Sequence, residues 1–115
     1  MNAEIVIRAL GALAQEHRLA AFRLLVQAGA GGMAAGAIAE RLGVPASSMS
    51  FHMAQLGHAG LVSQRRKSRS IIYSADYAAM GALMGYLTEN CCAGVACVAD
   101  TGCSTSPITQ ERTAA

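Results

Sequence analysis

All four cysteines of the chain lie in its last quarter, at Cys91, Cys92, Cys97 and Cys103. The first two are neighbours in the run NCCAGVAC, where most of the other residues are small. No signal peptide is predicted, because Glu4, Arg8 and Glu16 interrupt the amino-terminal region, and we expect a cytoplasmic protein. Since thiols stay reduced in that compartment, the cluster indicates metal or redox chemistry rather than a disulfide framework.

Cys91 and Cys92 cannot easily form a disulfide with each other, because that bond needs well-separated α-carbons. They can bind one large soft ion together where the backbone bends, and Gly94 permits such a bend. Either Cys97 or Cys103 would add a third sulfur, and Cys97 is favoured because its loop is shorter. Three sulfurs in a pyramid suit trivalent arsenic or antimony, and a methylated arsenical would need only two. Zinc prefers four ligands, and copper(I), cadmium and lead also accept thiolates.

The length of 115 residues fits one domain with a tail. We expect a folded domain over residues 1–90, followed by a cysteine-bearing segment and flexible tail over residues 91–115. Hydrophobic residues make up 53% of the chain and are mostly Ala, Leu, Met and Val, which favours helices. The longest uncharged stretch of the first half, residues 24–39, is too short to span a bilayer, so no membrane partner is expected.

Apolar periodicity predicts helices at residues 4–13, 16–28, about 34–42, about 46–58 and 77 to about 89. Asp76 is the expected cap of the last helix. Two β-rich runs, at 61–62 and 71–73, surround a charged, serine-bearing turn and predict a short hairpin. The sequence contains no glycine-rich phosphate loop and no paired carboxylates, so we predict that the protein is not an enzyme.

The third and fourth predicted helices have the pattern of a helix-turn-helix. Ala39 is small enough for two helices to cross, and Gly43 tolerates the left-handed backbone of the turn. The apolar anchors of the two helices are Ile38, Leu42, Met49 and Leu56, and Met53 belongs to the same pattern.

The fourth helix would then lie in the major groove of DNA. Its candidate DNA-binding residues are Ser47, Ser48, Ser50, Phe51, His52 and Gln55. Serine can bond to bases or phosphates, and glutamine can pair with adenine. For His52, a packed and hydrogen-bonded position is an equally good alternative. A helical hairpin without a nucleic-acid partner is the alternative for the whole motif.

Four of the nine basic residues of the chain lie within five positions, at Arg65, Arg66, Lys67 and Arg69. Because they fall in the hairpin directly after the helix-turn-helix, they indicate a wing that contacts DNA phosphates. An ordinary solvated turn is the alternative. The predicted fold is therefore mainly α with a short β-hairpin, a winged helix-turn-helix.

This order of elements, and the run SFHMAQLGHAGLV at residues 50–62, resemble the ArsR/SmtB family of metal-responsive bacterial repressors. The family pattern is S-x-H-L-x-x-L-x-x-A-G-L-V, and the resemblance covers roughly residues 5 to 90. It implies a homodimer, built by the first and last helices, that binds double-stranded operator DNA until an inducer binds. Two departures are Met53 in place of leucine and Ser68 where the wing turn often has glycine.

The run LTENCCAG, residues 87–94, looks like the arsenic-responsive members of that family, whose inducer site follows the last helix. The resemblance implies a repressor released by arsenite or antimonite on three of the four cysteines, with no organic cofactor. One alternative keeps the repressor but changes the signal to another soft metal or to thiol oxidation. A different class of protein, a dimeric interaction module that does not bind DNA or a metal carrier, is also open.

Overall fold

The computed structural model of the protein describes residues 1–94. Its elements follow in the order α1 (Ala3–Leu13), α2 (Glu16–Ala28), β1 (Met33–Ala34), α3 (Ala35–Leu42), α4 (Ala46–His58), β2 (Val62–Lys67), β3 (Ser70–Ala75) and α5 (Tyr77–Leu87). A short 3₁₀ turn spans Cys91–Gly94. The chain divides into two compact units, Met1–Leu83 and a second that begins at Met84.

Side-chain caps fix where α1 and α5 begin. The Oδ1 atom of Asn2 accepts a hydrogen bond from the backbone N–H of Ile5 at 2.9 Å, which starts α1. The Oδ1 atom of Asp76 accepts from the N–H of Ala79 at 3.0 Å, which starts α5. Each cap satisfies an N–H group that has no partner inside its helix. The predicted capping role of Asp76 is confirmed.

The three strands form an antiparallel sheet in the order β1-β3-β2. Its hairpin pairs Val62 with Ala75 at one end and Lys67 with Ser70 at the other, so only two residues form the turn. The predicted turn covered the whole basic run, and this prediction is wrong for Arg65, Arg66 and Lys67, which lie in β2. An edge strand tolerates charged side chains because solvent is close to it, and β2 is at an edge of the sheet.

Strand β1 is not among the predicted elements, and it pairs with the middle strand at Met33↔Tyr73 and Ala34↔Ile72. Gly32 makes this pairing possible. Its φ of +70° is in the left-handed region, and a β-carbon there would collide with the carbonyl oxygen of Tyr73. A strand of two residues has no alternation to read, which is why periodicity missed it.

The core is apolar, and no polar or charged residue of the described chain is buried. Its largest fully buried side chains come from α2, from the two helices of the helix-turn-helix and from the loop after them: Leu25, Ile38, Met49, Met53, Leu56 and Leu61. The five helices agree with the predicted ones to within two residues at their ends. The predicted fold class, mainly α with a β-hairpin, is confirmed.

Candidate nucleic-acid interface and cysteine segment

The helix-turn-helix consists of α3, a short turn and α4. Gly43 ends α3 with φ 68° and ψ 33°, the left-handed conformation that the sequence predicts. The next N–H, of Val44, donates to the carbonyl oxygen of Ala39 at 3.0 Å and tightens the turn. Of the four predicted anchors, three are fully buried and Leu42 is half-buried, and Met53 is fully buried as well. Because the anchors on both helices are buried together, the opposite face of α4 is left to solvent.

That outer face carries most of the predicted DNA-binding residues. Ser47, Ser48, Ser50 and Phe51 are exposed, whereas His52 and Gln55 are half-buried. Phe51 is 58% exposed, so its ring is accessible from solvent on this face. Hydroxyls beside an apolar ring match a base edge that offers polar atoms and a thymine methyl group. The DNA contacts themselves remain predictions.

His52 is held from the opposite side by α2. The Nη1 atom of Arg18 lies 3.3 Å from Nδ1 of His52. The ring of His17 is near, with centroids 5.8 Å apart. Burial lowers the pKa of His52, and the electrostatic effects of the Arg18 guanidinium and of the neighbouring His17 lower it further. His52 is therefore packed and hydrogen-bonded, and because part of its ring reaches solvent, its contact with DNA stays a prediction.

The basic side chains of the wing, which is the hairpin of β2 and β3, are exposed to solvent. Arg65, Arg66 and Lys67 lie in β2, Arg69 lies in the turn, and all four are exposed. The Nη2 atom of Arg65 donates to the carbonyl oxygen of Gly31 at 3.1 Å, which ties the wing to the loop before β1. Successive residues of a strand point to opposite faces, so Arg66 faces away from Arg65 and Lys67. Both faces of the strand thus carry positive charge.

The backbone conformation of Ser68 defines the type of turn at the tip of the wing. Its φ is 57°, in the left-handed region where glycine is favoured. The departure from glycine noted in the sequence therefore keeps the backbone conformation that glycine would adopt more easily. A two-residue hairpin turn requires such a conformation in at least one central residue.

Cys91 and Cys92 lie in the short turn after α5. The backbone is left-handed at Asn90, Cys92 and Ala93, with φ values of 57°, 58° and 57°. Cys91 is half-buried, and Cys92 is exposed and disulfide-bonded. Within residues 1–94, no group of three or more His, Cys, Asp or Glu side chains could hold a metal ion. The predicted ligands Cys97 and Cys103 lie outside the described residues.

The sequence model of a protein family described as a helix-turn-helix domain matches residues 13–65. The nodulation protein NolR of Rhizobium meliloti is 35% identical over 88 residues, which is 76% of this chain and 70% of that protein. The crystal structure of NolR from Sinorhizobium fredii has a TM-score of 0.61 and 35% identity, covering 82% of this chain and 89% of that one.

A solution structure from Mycobacterium bovis, the homodimeric winged helix-turn-helix DNA-binding domain of the possible ArsR-family regulator Mb0332, is similar too. Its TM-score is 0.60 at 31% identity, and the match covers 76% of this chain and 81% of that one. The fold and these similarities together define the class of protein, a winged helix-turn-helix transcriptional regulator that binds DNA. Within that class, the chain belongs to the ArsR family.

No helix among the described residues is both long enough and apolar enough to cross a membrane. Two features of the interface were not predicted from the sequence, the pairing of β1 with the wing and the contact between Arg18 and His52. The glycine pair at 31–32 was the available signal for the first. The contact between Arg18 and His52 joins residues that are far apart in the chain, and no local sequence pattern predicts such a contact.

Proposed function

We propose that the protein is a homodimeric repressor that leaves its operator when trivalent arsenic or antimony binds cysteine thiolates after α5. The observation that carries this proposal is the placement of Cys91 and Cys92 in a tight turn. The backbone of this turn is left-handed at Cys92, with φ 58° and ψ 40°, so the chain bends sharply where the two cysteines lie. Such a bend is what two adjacent sulfurs need to bind one large soft ion, and a third sulfur would come from Cys97 or Cys103.

The proposed dimer has support from α1. This helix exposes apolar side chains that a monomer would leave in water, with Ile5 at 39%, Ile7 at 69% and Leu10 at 41% exposure. The related Mycobacterium bovis domain is homodimeric. The wing and the outer face of α4 favour a DNA-binding regulator over the interaction module or metal carrier.

A second candidate function has an observation of its own. Because Cys92 is disulfide-bonded, its sulfur has no thiolate to give to a metal until the bond is reduced. A repressor that responds to thiol oxidation would use that bond directly. The two candidates differ in the signal and share the fold, the dimer and the operator.

Fluorescence anisotropy on a labelled operator duplex separates them. The operator is first selected from a random duplex pool by the reduced protein. Arsenite, antimonite, cadmium, lead, copper(I) and the thiol oxidant diamide are then titrated separately. The arsenite repressor is supported if about one equivalent of arsenite per subunit releases the protein from the operator. This response should be lost in Cys91→Ser and in Cys92→Ser.

Two further variants, Cys97→Ser and Cys103→Ser, identify the third ligand, since only one of them should lose the response. Release by diamide without any response to arsenite supports the oxidation sensor. Release by cadmium, lead or copper(I) alone moves the inducer to that metal. Tight binding that ignores every reagent rejects both candidates.

A further inference from the structure

The guanidinium of Arg18 joins three helices. Its Nε atom donates to the carbonyl oxygen of Ala12, near the end of α1, at 2.6 Å. Its Nη1 atom reaches Nδ1 of His52 on α4 at 3.3 Å. The backbone N–H of Arg18 donates to Oε1 of Gln15 at 2.9 Å, which fixes the start of α2 where the side chain leaves it. One side chain therefore sets the end of α1 and the middle of α4 relative to α2.

This arrangement determines the protonation of His52. A guanidinium has only N–H donors and stays charged in proteins. Nδ1 of His52 must therefore accept, and an imidazole that accepts at Nδ1 carries its proton on Nε2 and is neutral. The titratable groups that face the ring, Arg18 and His17 on α2, both disfavour a second proton on His52. The lowered pKa of His52 agrees with this assignment.

The position of His52 on α4 suggests what the remaining N–H meets. The ring is half-buried, between the packed face of the helix and the exposed face that carries Ser48 and Phe51. A residue at that border reaches the flank of a groove rather than its floor. DNA phosphates line the flank, and they accept hydrogen bonds from neutral as well as charged donors.

We propose that Arg18 is a positioning residue for DNA binding, which fixes His52 in the tautomer that offers its Nε2–H to a DNA phosphate. Arg18 itself touches α1 and α4, and it acts on the DNA through His52. This role of Arg18 concerns DNA binding and not release by an inducer. A negative result with arsenite would therefore leave it unaffected.

The first test needs no substitution. Long-range ¹H–¹⁵N correlation spectra of the reduced wild-type protein at pH 7.5 report which imidazole nitrogen carries the proton. We expect Nε2 to be protonated and Nδ1 to have the shift of an acceptor. Protonation on Nδ1, or an even mixture of tautomers, would overturn the proposal.

The second test uses Arg18→Lys, which keeps the positive charge and removes the planar fork that spans Ala12 and His52. We expect operator affinity to fall about three- to tenfold, as for the loss of one hydrogen bond, and the preference for the Nε2 tautomer to weaken. The matched control is Arg23→Lys, an exposed arginine on the same helix, which should leave both unchanged. Unchanged affinity in folded Arg18→Lys would refute the positioning role.

A third comparison holds even where Arg18→Lys fails to fold. Glutamine places its amide donor near the position of Nε2, and asparagine places its amide near Nδ1. His52→Asn should therefore weaken operator binding more than His52→Gln does. The reverse order, or equal losses, would show that an Nε2 donor is not what the DNA uses.

Discussion

The hydroxyl of Tyr77, the first residue of α5, donates to the carbonyl oxygen of Val26 at 3.0 Å. It also lies 3.3 Å from the carbonyl oxygen of Leu25. Both carbonyls belong to the last turn of α2, where helix geometry leaves them without backbone partners. The bond therefore ties the beginning of α5 to the end of α2.

Tyr77→Phe should lower the free energy of unfolding by about 1 kcal/mol, because one hydrogen bond is lost and the ring keeps its packing. Urea denaturation followed by circular dichroism measures this. Tyr86→Phe is the control, since the Tyr86 hydroxyl makes no hydrogen bond within residues 1–94. Equal losses in the two variants would mean that the Tyr77 bond contributes nothing specific.

Gly32→Ala should be strongly destabilising. Alanine at φ +70° costs about 1–2 kcal/mol from the left-handed backbone alone. The added methyl group also collides with the Tyr73 carbonyl, which separates β1 from β3. Gly31→Ala is the neighbouring control, because a β-carbon there meets open space. Thermal melts that give the two variants the same midpoint would contradict the close approach of β1 to β3.

Stability should fall as the pH drops below the ordinary histidine value of 6.5. The pKa of His52 is lowered in the folded state, so between the two pKa values the unfolded chain binds a proton that the folded chain does not. The contribution is complete above 6.5 and is lost as the pH falls towards the folded pKa. Urea denaturation at pH 8.0 and 5.5 should show a larger difference for wild type than for His52→Gln. A variant with the same pH dependence as wild type would remove His52 as the cause.

The wing should account for part of the salt dependence of operator binding. Each phosphate contact contributes about 0.9 to the slope of log affinity against log salt. Arg66→Gln and Lys67→Gln should each make that slope shallower by about this amount, because both side chains are exposed on the wing. Arg23→Gln removes the same charge from α2 and should leave the slope alone. If all three variants change the slope equally, overall charge explains it better than the wing.

The proposed release by arsenite implies a reciprocal effect. If arsenite weakens operator binding by some factor, the operator must weaken arsenite binding by the same factor, and such factors are about 5 to 150. Competition with a coloured arsenical, measured with and without saturating operator, gives both numbers. Equal arsenite affinity in the two conditions would mean that arsenite binding is not coupled to the operator. Cys91→Ser should bind arsenite poorly in either condition.

Much of the fold follows from local signals in the sequence. The buried anchors of α3 and α4 recur at helical spacing, and Gly43 supplies the left-handed turn, so the helix-turn-helix was predictable. The hairpin was predicted too short, because β-propensity undervalues charged residues on an edge strand. The role of Arg18 could not be read from sequence, since it depends on a contact between residues 34 positions apart.

The pairing of β1 with β3 has a consequence for how the protein leaves DNA. Strand β1 runs directly into α3, so the wing and the helix-turn-helix are hydrogen-bonded into one body. We therefore do not expect an inducer to move the wing away from the DNA while α4 stays in the major groove. Instead, α4 and the wing of one subunit should leave their half-site together. In time-resolved footprinting, the protection of the major groove and that of the phosphate backbone should then be lost at the same rate.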